Sequence, residues 1–468
     1  MKPKDQNYSK SRRLKNQIKA VVTNPYNVIV LIAIVLLTYL IVLPLLDMIT
    51  TSFTLAQKDA RLAGGAAGDF TLYYWQRLLG SSLTKQMLLQ PLLNSLLIGV
   101  CVSFFAIMIG SVLAWLMVRT DLPFKPFFSL AVIIPYMIPS WCKSQAWLTM
   151  FKTERIGGAP GFLMSLGINV PDWLAYGPVA IISVLSLHYY AYAYLLVSAA
   201  LNSINSELEE MGEIQGASKA QILRHITLPL ILPSVLSATV MTISKSIGTY
   251  GVPANLGNRI GYYTLATKMR NFIDQGPQAV GYAMSIVLVL LAALIIFSNQ
   301  RIVGVRKSYA TVSGKGGRAT LMPLGKAKKP LMAFLMVFLF LAMVVPFFVL
   351  IMETFQITTG AGYGLDNLTL YNWIGKSGQI AKYTNYEGIF RDPKFFSAFW
   401  NTIRLTLIGS IITAICGQFL GYISSRGRGK WYGDLTEQMV FVPYLMSGIA
   451  FSTMYFSMFS RSHLGGLI

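Results

Sequence analysis

Residues 206–229 read SELEEMGEIQGASKAQILRHITLP, a charged segment set between apolar runs at 178–201 and 231–253. Ser206 and Glu209 have the Ser-x-x-Glu spacing of a capping box, and acidic residues in that first turn complement the positive end of a helix dipole. Gly216 can take the left-handed conformation that ends such a helix without steric cost. Ser218 and Gln221 repeat the capping spacing, so a second helix starts there, and Pro229 either stops it or opens the next apolar run. Gly212, inside the first helix, weakens it by roughly 1 kcal/mol relative to alanine. The expectation is a rigid helix, glycine turn and helix lying at one membrane face.

The flanking runs are two of nine. Apolar stretches occupy 28–46, 92–118, 127–150, 178–201, 231–253, 279–298, 331–352, 398–422 and 438–459, each about the ~20 residues that cross ~30 Å of hydrocarbon. With 54% hydrophobic and 12% charged residues and a mean hydropathy of +0.55, the chain is too apolar for a soluble protein. Its net charge of +21 does not point to nucleic acid, because the basic residues sit in short stretches between apolar runs and act as topology signals. Lys10, Arg12, Arg13, Lys15 and Lys19 precede the first run, which no small-residue cleavage site follows, so that run reads as an anchor helix. If the N-terminus is cytoplasmic, alternation places 202–230, 299–330 and Arg426, Arg428 and Lys430 on the same side. The segment 299–330 carries Arg301, Arg306, Lys307, Lys315, Arg318, Lys326, Lys328 and Lys329, as the positive-inside rule expects. Cys101, Cys142 and Cys416 have neither CxxC spacing nor a histidine cluster, and no disulfide or metal is assigned to them.

The two halves repeat. Phe70-Thr71-Leu72-Tyr73-Tyr74-Trp75 returns as Leu368-Thr369-Leu370-Tyr371-Asn372-Trp373. Asn94 matches Asn401 and Arg119 matches Arg426 at one offset, and Pro135 matches Pro443 one residue later. Each copy has an even number of spans, so the copies run parallel, related by an axis along the membrane normal. The expected fold is an all-α polytopic bundle of two tandem repeats: a basic N-terminus over 1–26, a first repeat over 27–298, a linker over 299–330 and an incomplete second repeat over 331–468. A counterpart of the 202–230 segment would lie beyond Ile468, and truncation is the favoured explanation.

The 206–229 segment resembles the EAA loop of ABC-importer permeases, in which Glu-Ala-Ala is followed after three residues by Gly and after nine more by Ile-x-Leu-Pro. Glu210, Gly216, Ile226, Leu228 and Pro229 hold the pattern, with Ala217 after the glycine, while Met211 and Gly212 stand where the family has alanines. The resemblance implies that this loop docks on a dimer of separate ABC ATPase subunits, with Glu210 in polar contact and Gly216 making the bend. It also implies an extracytoplasmic solute-binding protein as partner, a bacterial inner-membrane location, and ATP on the partner subunit with no cofactor in this chain. Two fused halves, with Tyr250-Gly251-Val252-Pro253-Ala254-Asn255-Leu256-Gly257 and Tyr263-Thr264-Leu265-Ala266-Thr267, resemble permeases for ferric iron, phosphonates such as 2-aminoethylphosphonate, and thiamine.

The chain itself offers no nucleotide cradle. Ser313-Gly314-Lys315-Gly316 lacks the hydroxyl residue after the lysine that a Walker A loop requires, and neither HExxH nor GxSxG occurs. Ionisable residues at membrane depth are pathway candidates, which singles out Lys143 and Lys245, with Tyr250 and Pro253 just beyond the latter. His188, Tyr189, Tyr190, Tyr192 and Tyr194 suit helix packing, and Pro135 and Pro139 can break the third span. A secondary transporter driven by an ion gradient is the alternative. It requires membrane-buried acidic residues, whereas those here lie almost entirely in loops.

Overall fold

The computed structural model describes residues 25–204, 206–304, 321–380, 386–445 and 448–461, in which no strand forms. Its main helices are α1 (Pro25–Ser52), α2 (Lys85–Arg119), α3 (Lys125–Met137), α4 (Ser140–Phe151), α5 (Pro178–Ser203), α6 (Ser206–Ile214) and α7 (Lys219–Gly248). They continue as α8 (Gly251–Gly257), α9 (Leu265–Gln275), α10 (Gln278–Gly304), α11 (Gly325–Thr354), α12 (Pro393–Arg426), α13 (Trp431–Leu445) and α14 (Gly448–Arg461). Among the described residues seven helices are long and apolar enough to cross a membrane, rather than nine. The expected third span is instead a pair, α3 and α4, bent by 87°. Ile138 is extended there, as the residue before a proline prefers, and Pro139 has no N–H with which to continue the helix. The expected run 231–253 likewise ends at Gly248, and the chain restarts at Gly251. The ninth run falls on α13 and α14, either side of 446–447, which lie outside the described residues, as do the N-terminal basic cluster and residues 305–320 of the linker.

Prolines shape the long helices in one recurrent way. Pro44, Pro91, Pro229 and Pro346 each stand two residues after a five-residue π-turn, at Thr38–Val42, Lys85–Leu89, Leu223–Thr227 and Phe340–Val344. A proline inside an α-helix removes one backbone hydrogen bond, and its ring collides with the carbonyl four residues back. Widening the preceding turn removes that collision. The residue before each proline donates five residues back, as Leu228 does to the Leu223 carbonyl, and the helix continues. Pro229 therefore neither stops the second helix of the loop nor starts a separate span. α7 runs unbroken from the loop into the membrane.

The internal repeat holds in detail. In the first half the Thr71 amide donates to the Phe53 carbonyl at 2.8 Å and the Trp75 indole to Ser52 Oγ at 3.3 Å. In the second, the Thr369 amide donates to the Phe355 carbonyl at 2.6 Å and the Trp373 indole to Thr354 Oγ1 at 3.0 Å. The Thr71 and Thr369 hydroxyls each accept the amide two residues on, and Phe53 stacks on Trp75 as Phe355 does on Trp373.

Contacts divide the chain into two compact units, one joining residues up to 51 with 393–446 and 451 onward, the other 52–392 with 447–450. This division follows from an exchange of first spans. In one unit Leu37 and Ile41 of α1 pack on Leu420, Met439 and Val442 of α12 and α13, and the Tyr26 hydroxyl donates to the Ile423 carbonyl at 3.2 Å. In the other, Leu335 and Leu339 of α11 join the core of α2, α3 and α5, with the Phe338 ring 5.5 Å from that of Tyr190. Small residues let α2 and α5 approach each other. Ala106, Gly110 and Ala114 recur every fourth residue, and a Cβ on Gly110 would come within 2.5 Å of Ala193 Cβ and the Tyr190 carbonyl. Leu335→Ala, which empties a fully buried site on the exchanged span, is expected to cost about 2 kcal/mol or more. Thermal unfolding in detergent measures this, and a loss no larger than that of an exposed α11 leucine would contradict the packing.

Candidate functional site

α2 and α5 end, and α3, α7 and α11 begin, at one end of their unit, and α6 lies across it. Gly216 has φ +82°, its amide bonds to the Glu213 carbonyl at 2.9 Å, and the Ala217 amide to the Gly212 carbonyl at 3.0 Å. This pair of bonds is a Schellman end to α6, and it requires a residue tolerant of positive φ. Ser218 and Gln221 form the expected capping box. The side chain of Ser206 lies outside the described residues. Gly212 has a packing reason, since a Cβ there would stand 3.2 Å from both Ile222 and Ile226. The motif isoleucine thus packs against the helix where the chain is narrowest.

The carboxylate that pairs with Arg119 is Glu209, one residue before the motif glutamate. Glu209 Oε2 pairs with Arg119 Nη1 at 3.0 Å, and Glu209 Oε1 accepts from the Thr227 hydroxyl at 2.7 Å. Arg119 is 2% exposed and donates also to the Leu201 carbonyl at 3.0 Å. One ion pair therefore joins the ends of α2 and α5 to α6 and to the π-turn of α7. Glu210 is exposed, as are Leu228 and Pro229, while Ala217 and Ile226 are half-buried. Leu208, Met211 and Ile214, spaced by three, are 47%, 56% and 85% exposed, so α6 turns an apolar stripe away from the protein. Sequence reasoning missed Arg119, Glu209 and Thr227 as a set, although the Arg119–Arg426 match was a signal.

Behind α6 lies a cavity of about 430 Å³, lined by Trp115, Arg119, Glu209, Glu213, Lys219 and Leu223 and closed by Leu321–Pro323. That last segment is the end of the linker. The Met322 amide bonds to the Arg119 carbonyl at 2.8 Å, and Asp121 accepts from the Leu324 amide and from Lys328, each at 2.8 Å. Lys328, with help from the Leu324 amide, holds the Asp121 carboxyl below its ordinary value.

The pathway candidates lie at the other end of α7. Lys245 is half-buried, and its carbonyl accepts from the Thr249 hydroxyl at 2.8 Å. Tyr250 is half-buried at the break that follows, and Pro253 is buried in α8. The Tyr189 hydroxyl lies 2.7 Å from Thr249 Oγ1, which ties α5 to this break.

Residues 106–308 match the family described as binding-protein-dependent transport system inner membrane component. Residues 106–308 are an ABC-importer permease domain. It is 29% identical over 214 residues to the Salmonella typhimurium permease protein PhnV, named for 2-aminoethylphosphonate transport, covering 45% of this permease and 73% of PhnV. It is 24% identical over 389 residues to the Fe(3+)-transport system permease protein FbpB 2 of Haemophilus influenzae, covering 81% of this permease and 66% of that protein. A solved bacterial ABC transporter involved in import of the acidic polysaccharide alginate aligns over 63% of the permease and 99% of its own chain, at 17% identity and a TM-score of 0.47. As a member of this family the permease is a multi-pass inner-membrane protein.

Glu209→Ala leaves the Arg119 guanidinium buried without its charge partner and is expected to cost roughly 3 kcal/mol or more. Glu210→Ala, at an exposed site, should stay within about 0.5 kcal/mol of wild type. Thermal unfolding with limited proteolysis across 202–218 separates the two, and equal losses would contradict the assignment. A carboxyl with a lowered folded-state value contributes stability that is present above its unfolded value and is lost as pH falls through the folded one. Protease access to 321–328 should therefore stay low at neutral pH and rise only below about pH 4, while Asp121→Asn should leave it high at every pH. Access that does not change with pH in the wild type would exclude the clamp.

Proposed function

We propose that α6 is the coupling helix through which a separate ABC ATPase drives this permease. The observation that carries the reading is the combination of an outward apolar stripe, Leu208, Met211 and Ile214, with a base anchored by the Arg119–Glu209–Thr227 knot. A docking element transmits force only if its own root is stiff, and a buried ion pair with two further hydrogen-bonding groups, the Thr227 hydroxyl and the Leu201 carbonyl, supplies that stiffness. Glu207, Glu210 and Glu213 flank the stripe and offer polar contacts at its rim. The positive-inside pattern of the basic segments supports a cytoplasmic position for this end and for the N-terminus.

The solute arrives from an extracytoplasmic binding protein at the opposite end. ATP binding and hydrolysis by two ATPase subunits move α6, and because α7 is continuous from the loop to Gly248, that movement reaches the break at Thr249–Tyr250 directly. Lys245, Tyr250 and Pro253 stand at this break and are the pathway residues of the proposal. The two repeats then rock about the pathway in alternating access. The relatives named above carry phosphonate or ferric iron in their names, and these, with thiamine, are the substrate candidates.

Co-purification with the cognate ATPase tests the coupling helix. Met211→Glu, Glu210→Arg and Gly216→Pro should each lower ATPase recovery several-fold while the permease stays monodisperse. Full recovery with all three variants would show that the ATPase docks elsewhere.

A further inference from the structure

The strongest unexplained feature of the molecule is Lys143. It occupies the first turn of α4, immediately after the 87° bend, and is 7% exposed. α3, which leads from the loop end of the unit to the bend, has 13 residues and so spans about 20 Å. His188 lies 15 residues before the end of α5 at Ser203, or about 22 Å along it. His188 thus stands in the interior of α5, away from both of its ends, and Lys143 is packed against it there.

The lysine has polar neighbours but no counter-charge. Its Nζ lies 3.3 Å from the Leu187 carbonyl and 3.3 Å from His188 Nδ1. Among the described residues no carboxylate forms an ion pair with it. Between residues 85 and 151 the single acidic residue is Asp121, at the far end of α3 and paired to Lys328. α5 and α7 contain no acidic residue, and Glu353 of α11 is engaged by Thr149, six residues farther along α4. An ammonium group has three protons, so one remains after the carbonyl and the imidazole are served. With Lys143 donating to Nδ1, the imidazole carries its own proton on Nε2, a second donor. The hydroxyls of Tyr136 and Tyr192, 2.6 Å apart, lie on the rings beside His188. Next to the lysine is a cavity of about 350 Å³, walled by Trp147, Phe151, Leu187 and, from the exchanged span, Phe338, Leu341 and Val345.

A buried lysine lacking a protein counter-ion holds its proton best when an anion sits beside it, so the site favours an anionic occupant over a cation. We propose that Lys143 and His188 form an intramembrane site for an oxyanion of the phosphate, phosphonate or sulfate class, and that the solute is such an anion rather than free ferric ion or thiamine. This deepens the permease reading and rests on it. Lys143 is the one charged side chain in the cavity wall and His188 stands behind it, so an oxyanion in the cavity would take the remaining lysine proton while the imidazole fixes the amine's position.

The test uses the full chain in phosphatidylcholine nanodiscs and follows ³¹P line broadening of methylphosphonate. Wild type should broaden the line saturably, sulfate should reverse the broadening, and thiamine should not. Lys143→Gln should weaken binding at least about tenfold, whereas Lys143→Arg should retain it. Absence of broadening, an equal response from Lys143→Gln, or displacement by thiamine would overturn the proposal. So would an anionic lipid that co-purifies with wild type and not with Lys143→Gln, since that would assign the lysine to a headgroup. Capture of the ATPase by Lys143→Gln is measured alongside, so failure of the anion site is distinguishable from failure of the coupling reading.

Discussion

A guanidinium cannot be withdrawn from water without a partner, and Arg119 is almost wholly withdrawn. Breaking such a pair by removing one member strands a charge at a cost of several kcal/mol, so the pair behaves as a constraint rather than as a modest surface contact. Because Arg119 ends one span and Glu209 sits in α6, satisfying the guanidinium dictates where the loop lies. Thr227 then secures the root of α7 to the same carboxylate, and the Arg119 carbonyl receives the linker at Met322. Loop, linker and three helix ends are organised around one buried charge.

Proline placement decides how far that organisation reaches. With α-helical geometry on both sides, Pro229 would have kinked or ended the helix and isolated the loop from the membrane. A single widened turn before it leaves α7 continuous, so its two ends move as one body. The same device appears where α1, α2 and α11 carry their prolines. At Pro139 no such turn forms, and the chain bends through 87° instead. Continuity and breakage are thus distributed within the unit, a straight lever in α7 and a sharp corner between α3 and α4, where Lys143 and His188 meet.

The exchange of first spans has a related consequence. α11 belongs to the second repeat in sequence but completes the core of the first and walls the cavity beside Lys143. The Asp121 clamp holds the start of α11 against the end of α2, so the linker is part of the structure that carries the loop rather than a passive tether.

Much of this was legible from sequence because it is local. Apolar runs, the capping box at Ser218, the left-handed glycine at 216 and the bend at Pro139 depend on residues within a few positions of one another, where propensity and hydrogen-bond geometry act directly. The repeat was legible because a copied sequence copies its local bonds, as Thr71 with Trp75 and Thr369 with Trp373 demonstrate. Sequence alone could not choose between Glu209 and Glu210 as the anchoring carboxylate, since the partner stands 90 residues away and the two differ only in which side of one helix they face. Nor could it place α1 with the second repeat and α11 with the first, because apolar helices carry no address in their composition. Those outcomes, and the meeting of Lys143 with His188, were decided by tertiary structure: close packing permits one arrangement of helices, and buried charges select where their partners must be.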